Sequence, residues 1–274
     1  MLLFSLEFLR IPIGLSHYNF SRQSLGIQTS SRFEKSALFL HLKPWLMHGE
    51  VHTALTTIST YLKSQSGLHN NDSRYRLRLY YFFHRFIKEL RNEIPPTIVS
   101  TIVDSMRDLL PIVAEIPEPE EPETDVLAEA IKDSAFSSQL YLFETTGILC
   151  SLLYKNPSQQ SALLLSLVKP LMEDLSMNFQ AFRTNGLADF VPIVKVHHVI
   201  MALGNIAKGF PDYPNPLPEN YVLPPMEVFA DMAQAILVCL EAMNVFKPIR
   251  DAVRISVVKF QYGLTLLVDK VCIR

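Results

Sequence analysis

The sequence predicts an all-α fold built from repeated antiparallel helix pairs, and three observations carry that expectation. Apolar residues recur with the helical period of about 3.6 in segment after segment, with no alternating strand pattern of useful length between them. The 274-residue chain contains only 9 glycines against 18 prolines. Sheet proteins and nucleotide-binding loops use glycine in turns, whereas helices accept proline at their first position. Finally, helix starts recur at a near-constant interval, at about residues 72, 136, 190 and 246.

Taken in order, residues 1–33 show no sustained period and form a poorly organised N-terminal segment, and residues 34–274 carry the repeats. Helical patterns run over 34–46, 50–65, 72–93, 97–114, 136–155, 158–178, 190–209, 225–243 and 246–268. Asp72 and Ser73 mark the third start, Pro95-Pro96-Thr97 the fourth, Asn156-Pro157-Ser158 the sixth and Pro224-Pro225 the eighth. Gly209 followed by Pro211 reads as a C′ glycine with a stop behind it. The helices beginning at 72, 136 and 190 are each followed by a second helix before the next start, so the unit is a helix pair. It is longer than the roughly 40–47 residues of a minimal HEAT unit because its loops are long. Lys247-Pro248-Ile249-Arg250 has the Pro and Arg placement common in first helices of HEAT units. One such pair cannot cover its own apolar face, so the pairs are expected to stack into a right-handed HEAT-repeat α-solenoid. A compact all-α bundle is the competing architecture.

Composition sets the outer limits. With 25 basic and 27 acidic residues the formal charge is −2, and 49% of the chain is hydrophobic. A chain of this length could bury roughly 75% of the surface its unfolded form exposes, so core size is not limiting, and its apolar content with low net charge excludes a disordered protein. Three cysteines exclude a disulfide scaffold. Cys150, Cys239 and Cys272 are far apart in helical patterns and are expected to be buried free thiols in a reducing compartment. No run approaches the roughly 18 apolar residues of a membrane span. The opening MLLFSLEFLR is broken by Glu7, followed by Arg10 and preceded by no basic stretch, and is not read as a signal peptide.

Two loops depart from the background. Residues 115–125, EIPEPEEPETD, hold six carboxylates, three prolines and no basic residue. Without them the chain has 25 basic against 21 acidic residues, a net charge of +4. The loop is either a soluble insertion or a docking element for a basic protein surface. Residues 210–225 carry six prolines and are expected to form a stiff, partly polyproline connector.

Catalytic signatures are scarce: there is no phosphate-binding glycine loop, no nucleophile elbow and no paired CxxC. His48, Glu50 and His52 place two imidazoles four apart, but Gly49 stands where a zinc-protease order needs glutamate, so they read as surface histidines. His197-His198 lies in a helix that is apolar nearly all round and reads as a hydrogen-bonded core or interface pair. The expectation is not an enzyme. The informative segment is the helix at 72–93. Arg74, Arg78, Tyr81, Arg85 and Lys88 follow one another at alternating steps of four and three residues, which places all five on one narrow stripe of a helix. Leu79, Phe83, Phe86, Ile87 and Leu90 fall on the opposite side, toward the core. Cations so spaced can follow the phosphates of a nucleic acid, with Tyr81 available to stack on a base; a simple solvated face has the same pattern.

Several segments resemble a known family. LPIVAEIPEPEEPETDVLAEAI, SSQLYLFETTGILCSLL, KVHHVIMALGNIAKGFPDYP and AILVCLEAMNVFKPIRDAVR are similar, in that order, to the middle of the exportin-T family of the karyopherin-β superfamily, and SRYRLRLYYFFHRFIKEL to the part just upstream. The match runs over about residues 70–254. It implies a HEAT-repeat solenoid that wraps tRNA together with Ran-GTP, shuttles between nucleus and cytoplasm through contacts with nuclear pore proteins, and needs no cofactor. It implies an RNA-binding role for Arg74, Arg78, Tyr81, Arg85 and Lys88. For Glu118, Glu120, Glu121, Glu123 and Asp125 it implies contact with Ran. Residues 1–33 and those after Arg254 lose the pattern, and family members are several times longer. The chain therefore reads as a partial one, with apolar helix faces expected at both ends. A HEAT scaffold that binds only proteins, through the acidic loop, is the alternative function.

Overall fold

A computed structural model describes Leu62 and residues 67–117, 125–212 and 223–257. The described helices are α1 (Ser73–Leu90), α2 (Pro96–Asp104), α3 (Val126–Ile131), α4 (Ser134–Ser151), α5 (Pro157–Asn185), α6 (Val191–Gly209), α7 (Met226–Met243) and α8 (Lys247–Val257). Single 3₁₀ turns occupy Arg107–Leu109 and Gly186–Ala188, and there is no strand among the described residues. The expected helices at 34–46 and 50–65, the domain boundary at residue 33, His48, Glu50, His52, Cys272 and all of the chain after Val257 lie outside the described residues. So do most of both unusual loops.

The helix starts follow from local chemistry. Asp72 accepts from Arg74 N at 3.0 Å, Asp133 from Ala135 N at 2.8 Å, and Asn156 from Gln159 N at 3.3 Å. Each satisfies an amide that has no partner within its helix. Pro96 and Pro157 occupy first positions, where the missing N–H costs nothing.

First helices of successive pairs stack side by side in chain order, α1 on α4, α4 on α6 and α6 on α8, while α5 and α7 meet in the second layer. That is the expected all-α stack of helix pairs. Central helices are enclosed: every residue of α4 from Leu142 to Cys150 is buried, and α6 is buried along most of its length. Such all-round burial explains why neither is strongly two-faced, whereas α1 and α8 are.

Glycines set the closest approaches. A Cβ on Gly147 would run into the Ile206 carbonyl, and one on Gly209 into the backbone of Glu144 and Ile148, so α4 and α6 touch backbone to backbone. Likewise a Cβ on Gly204 would collide with Ser256, whose hydroxyl donates to the Ile200 carbonyl at 3.1 Å.

Three expectations need correction. The pattern at 97–114 is not one helix: α2 stops at Asp104, and 110–117 is non-helical. The Ser105 hydroxyl adds a second bond to the Thr101 carbonyl at the helix end, and beyond it Gln139 Nε2 donates to the carbonyls of Leu109 at 2.7 Å and Pro111 at 3.0 Å, taking the place of helical partners. Gly209 is not a left-handed cap but the last residue of α6, followed by extended Phe210 (φ −74°, ψ 146°). Its small size serves the crossing with α4, and the described glycine with positive φ is Gly186 (φ 58°), after α5. The sequence pattern also missed α3 and ended α5 seven residues early, at 178 rather than Asn185.

Candidate nucleic-acid interface

The α1 stripe is largely where the helical period places it. Arg74, Arg78, Arg85 and Lys88 are exposed, and Phe83, Phe86, Ile87 and Leu90 are buried. The five positions differ in what holds them. Arg74 is 88% exposed, with its Nε 3.5 Å from the capping carboxylate of Asp72. Arg85 pairs with Glu89 one turn on, at 2.8 Å. Tyr81 is half-buried rather than open: its ring meets Tyr141 of α4 edge-on, with centroids 5.2 Å apart. Tyr81 thus packs one edge into the α1–α4 seam while part of the ring stays exposed.

Lys88 turns toward a feature that the sequence pattern missed. The Glu144 carboxylate, on α4, is buried to 4% exposure; it lies 2.6 Å from Lys208 Nζ on α6, 3.4 Å from Lys88 Nζ and 3.6 Å from His84 Nε2 on α1. One carboxylate thus joins three successive first helices. Burial pushes the Glu144 carboxyl up, but the Lys208 hydrogen bond and the charges of His84, Lys208 and Lys88 outweigh it, and the group is held below the usual range. Burial lowers His84, Glu144 opposes that shift, and the charges of Lys88, Lys208 and Arg85 lower it further. The arrangement depends on the glycine crossing: Gly209 lies against the Glu144 backbone, which brings the adjacent Lys208 within reach. A signal was present in the sequence, since Glu144 is the one charged residue in the 18 of α4.

Of the five acidic-loop candidates, Asp125 is described. It caps α3, accepting from Ala128 N at 3.1 Å. Glu118, Glu120, Glu121 and Glu123 lie outside the described residues. The loop's near end is anchored: Lys195 on α6 donates to the Ile112 carbonyl and stands 3.4 Å from Asp174 of α5.

His197 and His198 are core residues, as expected. Their Nδ1 atoms lie 3.0 Å apart, and His198 stacks flat on Phe136 at 3.7 Å with its Nε2 buried and unpartnered. Burial lowers them to about 4 and about 3. Cys150 and Cys239 are buried free thiols, pushed up by burial to about 12 and about 11. Among the described residues no three His, Cys, Asp or Glu side chains are grouped to hold a metal, and no helix is long and apolar enough to cross a membrane.

Stacked helix pairs with a cationic solvent-facing row define a helical-repeat protein. The family model described as Exportin-T matches residues 49–267. Exportin-T of Laccaria bicolor is 68% identical over 190 residues, which is 69% of this chain and 18% of that protein. Exportin-T of Coprinopsis cinerea is 60% identical over 191 residues, again 69% and 18%, and Exportin-T of Mycosarcoma maydis is 35% identical over 190 residues. The chain belongs to the Exportin-T family and spans under a fifth of the length of these relatives.

Proposed function

We propose that this chain is part of a tRNA nuclear-export receptor. It binds tRNA with Ran-GTP, passes the nuclear pore through contacts with pore proteins, shuttles between nucleus and cytoplasm, and catalyses no reaction. The observation that carries the reading is the row of exposed Arg74, Arg78 and Arg85 on α1 in a chain of the Exportin-T family. Guanidinium groups spaced one and then two turns apart along one helix face suit the phosphates of an RNA backbone, where they act as fixed charges without reading sequence. Tyr81 supports α1 from the seam, and Lys88 adds a charge at the end of the row. The acidic loop, with Glu118, Glu120, Glu121, Glu123 and Asp125, is assigned to Ran, and repulsion keeps it off the tRNA. The repeat region is assigned to residues 34–274, after a poorly organised segment at 1–33.

The test is a salt titration of tRNA binding by the purified chain, with and without Ran-GTP. Log affinity is expected to fall linearly with log salt, and Ran-GTP to tighten binding. The triple variant Arg74→Ala, Arg78→Ala, Arg85→Ala should lower the magnitude of the slope by about 2. Wild-type binding that this variant leaves unchanged removes the stripe from the interface. No tRNA binding at low salt defeats the export reading and favours a protein-binding scaffold.

A further inference from the structure

We infer that Lys88 and Lys208, drawn together by Glu144, form a two-lysine fork that grips a single RNA phosphate and extends the cationic row from α1 across to α6. The inference deepens the tRNA reading and rests on it. Two ammonium groups from helices of different repeats would ordinarily repel each other. Here each lies on a different oxygen of the same carboxylate, Lys208 on Oε2 at 2.6 Å and Lys88 on Oε1 at 3.4 Å. The carboxylate faces inward at 4% exposure, while the lysines remain 46% and 51% exposed. An ammonium group has three N–H donors, so each lysine keeps donors for solvent after serving Glu144. Two ammonium groups share a single carboxylate, so one lysine charge is left uncompensated by Glu144. A phosphodiester carries one negative charge and two free oxygens. Docked on the outside, it mirrors the Glu144 carboxylate on the inside and cancels the excess. Both lysines also sit in the last turns of their helices, where the backbone field favours cations, so the fork persists without its ligand.

The test measures tRNA binding of the full chain against salt, for wild type, Lys208→Gln, Lys208→Arg, the double Lys88→Gln/Lys208→Gln variant and the α1 triple-arginine variant. Glutamine keeps a donor for Glu144, and matched circular dichroism checks folding. Lys208→Gln is expected to weaken binding about tenfold at low salt, and Lys208→Arg to restore it. Because the two lysines share one phosphate, the double variant should lower the salt slope by about 1 rather than 2. Wild-type affinity and slope in both Gln variants, with the triple-arginine variant weakened, overturn the fork and leave the α1 reading standing. No binding by wild type overturns both. If polyglutamate competes with tRNA for the wild-type chain but not for Lys208→Gln, the fork serves an acidic protein, and the phosphate assignment is overturned.

Discussion

Single residues in this protein repair costs that the helical repeat creates. Pro170 sits inside α5 and has no N–H to offer the Ser166 carbonyl one turn back. Arg107, from the 3₁₀ turn after α2, donates to that carbonyl at 3.2 Å and to the Ser166 hydroxyl at 3.3 Å. Replacing Arg107 with Ala is therefore expected to cost about 1 kcal/mol in urea melts, and clearly less in a Pro170→Ala background, where the amide is restored. Equal costs in both backgrounds would separate the two residues. The histidine pair behaves differently. His197 and His198 lie with their Nδ1 atoms 3.0 Å apart, and a hydrogen bond there needs at least one of the two rings neutral to accept it. Their folded values of about 4 and about 3 lie below the ordinary 6.5, so the unfolded chain binds more protons as pH falls below 6.5. Stability conferred by the neutral pair is present above that pH and is lost as pH falls toward 3. The loss is at most about 1.4 kcal/mol per pH unit for each ring. Urea midpoints at pH 7 and pH 5 should show the drop, and a His198→Gln variant should flatten it.

At the scale of elements, the crossing of α4 and α6 is the contact on which the candidate site depends. Gly147→Ala would put a methyl group against the Ile206 carbonyl, a clash with backbone that no side-chain rotation relieves. The expected cost is about 1–3 kcal/mol, read as a lower thermal midpoint. A second consequence is specific to this geometry: spreading the helices moves Lys208 from Glu144, so the variant should also bind tRNA more weakly. Destabilisation with unchanged tRNA affinity would separate the crossing from the site. Which parts of this were legible beforehand follows from the range of each interaction. Helix starts were, because Asp72, Asn156 and the prolines act within a turn of themselves. The outward stripe was, because a helix with one buried side reports its own orientation through its period. Glu144 was not, because its partners Lys88 and Lys208 lie 56 and 64 residues away in sequence. Gly209 was misassigned for the same reason: an exposed cap and a tight crossing both need the smallest residue, and only the neighbour in space distinguishes them.

At the scale of the whole molecule, burial is uneven along the stack, and stability should follow it. In a repeat array each helix pair is held by its own packing and by its nearest neighbours, with no contacts that reach across the structure. α4 and α6 are each packed between two first helices; α4 is buried from Leu142 to Cys150 and α6 along most of its length. α1 instead keeps one side in water, with Arg74, Tyr75, Arg78 and Arg85 exposed, and among the described helices it packs chiefly on α4. Opening α6 breaks interfaces with α4, α5 and α8 together, whereas opening α1 breaks mainly one. Native-state hydrogen exchange should therefore find the slowest amides in α6 and α4 and faster ones in α1, in contiguous blocks that match the helices. Exchange at one common rate through α1, α4, α6 and α8 would mean a single cooperative unit and would contradict the nearest-neighbour account. Bound tRNA gives the sharper form of the prediction. A ligand on the α1 row alone should slow exchange in α1, but a phosphate held between Lys88 and Lys208 ties α1 to α6, so protection should rise in α1 and at the C-terminal turn of α6 together.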